Sequence, residues 1–350
     1  MEPYKVSQKM YVVFVGGYVA TLLSLYGLRL VTAGDGPWWL AFASVWEAWW
    51  YAPLPLLLVG GMVWRPSKYV VLVLLVPCLL WGEAFGGLFW PRSGGEGELS
   101  VGVLSFNVRY SGYDPAVIAA IIEEAGADIV GIQELTTELD AYLATELASI
   151  YPYQLTTPAV TGPWGSGVFS RYPLTLVSDE GDAYGFLHTQ IVSFTYPVGD
   201  GEEEVYFFNV HTTPPQLLIE TSPLLPVGVP RGYGAWPRHE QIREVRAQLD
   251  EISEPVILVC DCNMTPASYD YDYLTANLSD AFAEAGWGWG HTFHFEGGNG
   301  WLAGIPLIRI DYIFYSEHWG AYEARVLPRG SSDHRALYAQ LGFEGEGKER

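Results

Sequence analysis

The chain has 350 residues, 18 Lys and Arg against 40 Asp and Glu, a net charge of −22 and 49% hydrophobic residues. That apolar fraction excludes a disordered chain, three Cys exclude a disulfide scaffold, and the length allows one large domain or two smaller ones. The acid excess argues against gripping nucleic acid by counterion release, which needs a face rich in Lys and Arg.

The charge is unevenly spread. Residues 1–90 carry five basic and four acidic side chains, so residues 91–350 carry 13 and 36, a balance of −23. Within the near-neutral part, Tyr11–Val31, Trp38–Val63 and Tyr69–Trp90 are apolar runs of the length, about 20 residues, that a helix needs to cross the hydrocarbon core. They predict a membrane anchor over 1–90 with three transmembrane helices, at about 11–31, 38–63 and 69–90. The first run alone would also suit a cleaved signal peptide, but two further runs favour an anchor. Trp38, Trp39, Trp49, Trp50, Trp64 and Trp90 lie near the run ends, where aromatic belts form. Lys5, Lys9, Arg65 and Lys68 mark the cytoplasmic flanks, against Arg29 alone on the other side. A multi-pass protein of the cell membrane follows, with a cytoplasmic N-terminus and residues 91–350 outside. Glu47 and Glu83 fall inside the spans, and the simplest expectation is that both reach the outer headgroup layer.

Pro91–Glu98 reads as a flexible linker of Gly and charge. From Leu99 short Val/Ile/Phe/Tyr-rich runs predict strands at 101–108, 128–134, 167–172, 188–196, 204–211, 255–263, 310–315 and 336–341. Helices are predicted at Pro115–Ala125, Thr137–Ile150, Pro237–Ile252 and Tyr271–Ala285. The class is α/β or α+β, with buried sheets covered by helices.

Polar residues stand at the ends of these strands. Asn107 ends the first, Glu134 the second and His211 the fifth; Asp261 and Asn263 close the sixth, Asp311 opens the seventh, and Asp333-His334 precede the last. Any one of them alone is more simply a turn residue or helix cap. Acids, amides and histidines at the ends of several near-continuous apolar strands instead describe one polar pocket at a sheet edge.

In order, the segments SFNVR (105–109), GIQEL (131–135), GSGVFSRYPL (165–174), FFNVHTTPP (207–215), VILVCDCNMTP (256–266), RIDYIFY (309–315) and SSDHRALYAQL (331–341) resemble the endonuclease/exonuclease/phosphatase superfamily of metal-dependent phosphodiesterases. The stretch from His211 through the Arg238/Gln241 helix is similar to bacterial membrane-anchored members. The resemblance implies a four-layer, two-sheet sandwich over 99–343, followed by a charged tail at 344–350. It also implies hydrolysis of a phosphate ester with Mg²⁺ or Mn²⁺, hard cations that prefer carboxylate and amide oxygens. Glu134 is then the metal ligand with Asn107 close by, and Asp333 serves a second ion or the waters around it. Asp261 and Asn263 hold the attacking water and phosphoryl oxygens. His334, oriented by Asp311, handles a proton or stabilises phosphate, and His211 faces the non-bridging oxygens. Where the family usually has Gly before the strand-six Asp and an aromatic after it, this chain has Cys260 and Cys262, read here as small buried hydrophobes too far apart for an easy disulfide.

The superfamily includes nucleases, sphingomyelinases and inositol-phosphate phosphatases, so fold alone does not choose a substrate. A domain at −23 with Lys348 as its one Lys disfavours a polyanion. A lipid headgroup or small phosphodiester is favoured, a nuclease is the first alternative and a non-catalytic membrane subunit the second. The apolar, Pro-rich insertion Thr212–Trp236 suits a lid or a bilayer-touching loop. Trp287, Trp289 and Trp301, with Phe293 and Phe295, are candidate substrate contacts for acyl chains or a quaternary ammonium group.

Overall fold

The computed structural model describes residues 3–32, 36–90, 99–181, 188–199, 201–222, 225–294 and 305–345. The predicted linker at 91–98, most of the charged tail, Phe295 and Trp301 lie outside the described residues. The chain forms two compact units, the first joining Met1–Trp90 with Leu217–Gly234 and Ala267–Tyr269, the second holding the rest.

In the first unit, α1 (Pro3–Thr32) is a single long helix, followed by α2 (Trp38–Val45), α3 (Glu47–Trp50), α4 (Leu54–Trp64), α5 (Lys68–Val73) and α6 (Leu75–Phe85). Among the described residues two helical stretches are long and apolar enough to cross a membrane, Val6–Thr32 and Lys68–Phe89. The predicted span at 38–63 is not one helix. Pro53 and Pro55, which bring no backbone N–H to a helix ladder, sit where α3 gives way to α4, and Trp46 separates α2 from α3. The two acids do not stand alone in this unit. Glu47 is buried and pairs with Arg29 at 2.5 Å, and Tyr26 Oη donates to Glu83 at 3.4 Å.

The second unit is a sandwich whose strands, in chain order, are β1 (Ser100–Asn107), β2 (Ile129–Gln133), β3 (Tyr153–Thr157), β4 (Ser166–Ser170), β5 (Leu174–Gly181), β6 (His188–Val198) and β7 (Gly201–His211). After a two-stranded excursion, β8 (Gln216–Ser222) with β9 (Leu225–Gly234), which belongs to the first unit, come β10 (Val256–Asp261), β11 (Ser279–Asp280), β12 (Asp311–Tyr315), β13 (Trp319–Val326) and β14 (Leu337–Phe343). One sheet runs β13-β14-β1-β2-β4-β3 and the other β11-β12-β10-β7-β6-β5. Their inner faces share one core that includes Val103, Ile129, Val168, Phe207, Val259 and Ile313. The helices α7 (Pro115–Ala125) and α8 (Thr137–Glu146) cover the outside of the first sheet. The other sheet is covered by α9 (Trp236–Leu249) and α10 (Tyr269–Thr275), while α11 (Ala281–Ala285) adds Phe282 to the shared core. This is the four-layer sandwich anticipated above.

Local chemistry sets these elements. Asp114 caps α7 by accepting from Ala116 N, with Pro115 at its first turn and Gly126 at φ 69° closing it, and Thr136 caps α8 through Leu139 N. Gly131 is needed for sheet approach: a Cβ there would lie 2.3 Å from Val259 Cγ2. Beside it Asn209 crosses the sandwich, accepting from Gln133 Nε2 at 2.8 Å and donating to the carbonyls of Ile132 and Gly167.

Cys260 and Cys262 face the outer core beside α9, and the structure joins them in a disulfide, contrary to the expectation from an extended strand. The reason is local. The strand ends at Asp261, and the turn after it brings the two Cα atoms to 5.2 Å, inside the disulfide range.

Candidate active site

Parallel pairing aligns the polar strand ends. β1 lies parallel to β2 with Asn107 opposite Gln133, which places Glu134 one residue beyond. In the other sheet β7 is parallel to β10 and β12 antiparallel to it, so His211, Asp261 and Asp311 stand in one cross-strand row. Residues in register point to the same face, so three titratable groups meet at one point.

Asp261 is the hub. It is fully buried, and its Oδ2 accepts from Asn107 Nδ2 at 2.7 Å, with His211 Nε2 at 3.5 Å and His334 Nε2 at 3.7 Å. Its Oδ1 accepts from Asn263 N at 3.2 Å. Asn107 Nδ2 also donates to Glu134 Oε1 at 3.1 Å, and His211 Nε2 lies 3.9 Å from that oxygen. The remaining Glu134 oxygen accepts from Tyr110 N at 2.9 Å. His334 Nδ1 faces both Asp311 oxygens at 3.1 and 2.9 Å, which orients the ring and leaves Nε2 toward Asp261. Ser332 Oγ donates to Asn107 O and accepts from His334 N, tying the last loop to β1.

Burial pushes the Asp261 carboxyl above the usual carboxylate range and Asp311 adds to this, against the imidazoles of His334 and His211. Burial alone would hold His334 down, but Asp311 and Asp261 outweigh it and raise the imidazole to about 10. Asp311 and Asp261 thus favour the protonated form of His334. Asp261, Asp311 and His334 offer ligand atoms all within 4.8 Å of one another, a spacing that could hold a metal ion.

The structure brings together Asn107, Glu134, His211, Asp261, Asn263, Asp311 and His334. Asp333 is half-buried, and its carbonyl accepts from His294 N. Trp287 is 71% exposed, Trp289 stacks on His291 at 5.9 Å, and Trp301 lies outside the described residues.

Three further side chains support the site. The Phe293 ring packs on His334 with centroids 5.0 Å apart. Gln241 on α9 accepts from Thr213 N and donates to Thr213 Oγ1, fixing the segment after His211. Arg238, one turn earlier, donates to Asn263 O and to Asp270, which also contacts His239. Asn263, Glu134 and Arg109 have φ of 48°, 61° and 64°, left-handed values that non-glycine residues rarely adopt.

The sequence model of the endonuclease/exonuclease/phosphatase family matches residues 104–334. No curated protein matches the chain. Among solved structures, an endonuclease/exonuclease/phosphatase family protein from Bacteroides thetaiotaomicron is 19% identical with a TM-score of 0.51, covering 70% of this chain and 98% of its own. A mannosyl-6-phosphatase from the same species is 20% identical with a TM-score of 0.50, covering 69% and 100%. A third, from Beutenbergia cavernae, is 20% identical with a TM-score of 0.51, covering 72% and 74%. At these identities the likeness concerns the fold.

Proposed function

The chain belongs to the endonuclease/exonuclease/phosphatase family, hydrolases of phosphoesters that depend on a divalent metal, and on that premise we propose that it is a membrane-anchored phosphodiesterase acting outside the cytoplasm on lipid headgroups or small phosphodiesters. The observation that carries this reading is the row His211–Asp261–Asp311, closed by His334 and by the amide of Asn107 shared between two carboxylates.

The residues suit a hard cation. Carboxylate oxygens of Glu134 and Asp261 converge on one amide nitrogen, the hard oxygen donors that such a cation prefers. Glu134 and Asn107 would hold Mg²⁺ or Mn²⁺, with Asp333 serving a second ion, and the bound ion would supply neutralising charge for the phosphoryl oxygens. The chain's own residues do the rest. Asp261, steadied by Asn107 and the Asn263 amide, positions the attacking water. His211 meets the non-bridging oxygens, and the His334 imidazolium, held by Asp311, stabilises the phosphate as negative charge builds.

Two long apolar helices and the Lys/Arg bias of their flanks support an anchor, and the catalytic unit lies outside provided that the broken stretch α2–α4 between them makes the third crossing. The balance of −23 over 91–350 supports a substrate other than nucleic acid. Exposed Trp287 and its neighbour Trp289 are proposed to meet the headgroup.

The test is a panel of phospholipids, nucleic acids, small phosphodiesters and a sugar 6-phosphate, with Mg²⁺ or Mn²⁺, comparing the wild-type chain with Glu134→Ala. Metal-dependent turnover of a phospholipid or small diester, lost in the variant, is expected. Salt-sensitive cleavage of plasmid DNA with no lipid or small-diester hydrolysis would sink the reading in favour of a nuclease.

A further inference from the structure

Between His211 and α9 the chain makes a two-stranded hairpin, β8 with β9, that joins neither sheet of the sandwich. A lone hairpin is at best marginally stable in water, and this one exposes Leu217, Leu218 and Ile219, at 39%, 63% and 55%. Its partner is the apolar helix α2, against which β9 packs, with Phe42 and Tyr233 ring centroids 5.9 Å apart. Phe42 lies four residues past Trp38, about 6 Å along the helix axis, and Trp38 and Trp39 are the exposed aromatics that begin α2. The hairpin therefore contacts the anchor just inside the level of its tryptophan belt. The exposed ion pair Glu220–Arg231 links the two strands.

We infer that the β8–β9 hairpin is an interfacial element whose exposed run Leu217, Leu218 and Ile219 lies in the acyl–headgroup boundary of the outer leaflet. The inference rests on the anchor reading above and adds a second, non-spanning contact with lipid. A two-stranded ribbon lying flat at the boundary leaves its edge N–H and C=O groups within reach of headgroups and water, as lipid-exposed backbone requires. The partner is a phospholipid surface, recognised by apolar area next to a charge pair at headgroup level. Only Thr212–Pro215 separate His211 from β8, a reach of at most about 18 Å for extended chain.

The full-length protein, with Cys78→Ser and Ile219→Cys, is labelled with an environment-sensitive fluorophore. It is then reconstituted in phosphatidylcholine–phosphatidylglycerol vesicles carrying nitroxide either near the headgroup or at the acyl-chain end. The expected result is blue-shifted emission, quenched severalfold more than the same label at exposed Glu204→Cys, and more by the shallow nitroxide than by the deep one. Leu217→Cys, in the same exposed run, gives the same readout should the first variant fail to fold. Water-like emission from either label, in protein that resists alkaline-carbonate extraction, overturns the hairpin's role and leaves the anchor standing. Protein that washes off the vesicles overturns both.

Discussion

Asp261 and His334 share one buried site, and each holds a proton more tightly there than in water, for different reasons. Burial lifts the carboxyl of Asp261, whereas Asp311 and Asp261 together lift the His334 imidazole from 6.5 to about 10 despite burial. The folded state therefore holds the His334 proton more tightly than the unfolded chain does. Its contribution to stability is complete below a pH of about 6.5 and is lost as pH rises through about 10. The melting temperature of the metal-free protein is expected to fall across that window, and His334→Gln removes this part of the slope. In catalysis Asp311→Asn keeps the shape and loses the charge that orients and protonates His334. A drop in kcat of about 10²- to 10⁴-fold is expected, measured on the best diester of the panel. The polar members of this site are legible in the sequence because each interrupts or ends an apolar strand. The helix of Arg238 and Gln241 is legible by resemblance and Phe293 as an aromatic of its loop, but what these side chains touch is not, because those contacts exist only once a loop or a helix folds back onto the strand ends.

At the scale of elements, α9 is a brace for two catalytic loops. Its buried Gln241 satisfies both backbone and side chain of Thr213, and its buried Arg238 holds the Asn263 carbonyl. Gln241→Ala leaves a buried N–H without a partner and is expected to cost about 1–3 kcal/mol in urea unfolding, with kcat reduced as well. Gln241→Glu, which keeps the acceptor for Thr213 N, should recover part of both. On the sandwich itself, Gly131→Ala sets a methyl against Val259 and is expected to cost about 1–3 kcal/mol by overpacking, read as a lowered denaturation midpoint. The central strands are visible in the sequence as unbroken apolar runs. The edge strands β3 and β5 and the half-exposed β13 are not, because one side or one face meets water and their side chains alternate less cleanly. The hairpin β8–β9 reads as a loop because its Pro and Gly residues mask the strand pattern, and the span at 38–63 reads as one helix because length and hydropathy are blind to what Pro53 and Pro55 do to the ladder.

For the whole molecule, two charge regimes meet in one chain, and the excess of acids over 91–350 sets how the catalytic unit meets its surroundings. Plasmid DNA should remain uncut by the full-length protein in Mg²⁺ even at low salt, where a basic nuclease would bind best; nicking on an agarose gel is the check. Stability is also unevenly invested. Left-handed backbone at a non-glycine residue costs on the order of 1 kcal/mol or more, and the chain carries it at Arg109, Glu134 and Asn263, each within two residues of a strand end that builds the pocket. A library of this protein selected for heat resistance alone, without selection for turnover, should therefore drift toward glycine at 109, 134 and 263. Survivors would gain a higher melting point at the positions where the enzyme has most to lose, so heat resistance and activity would be inherited in opposition.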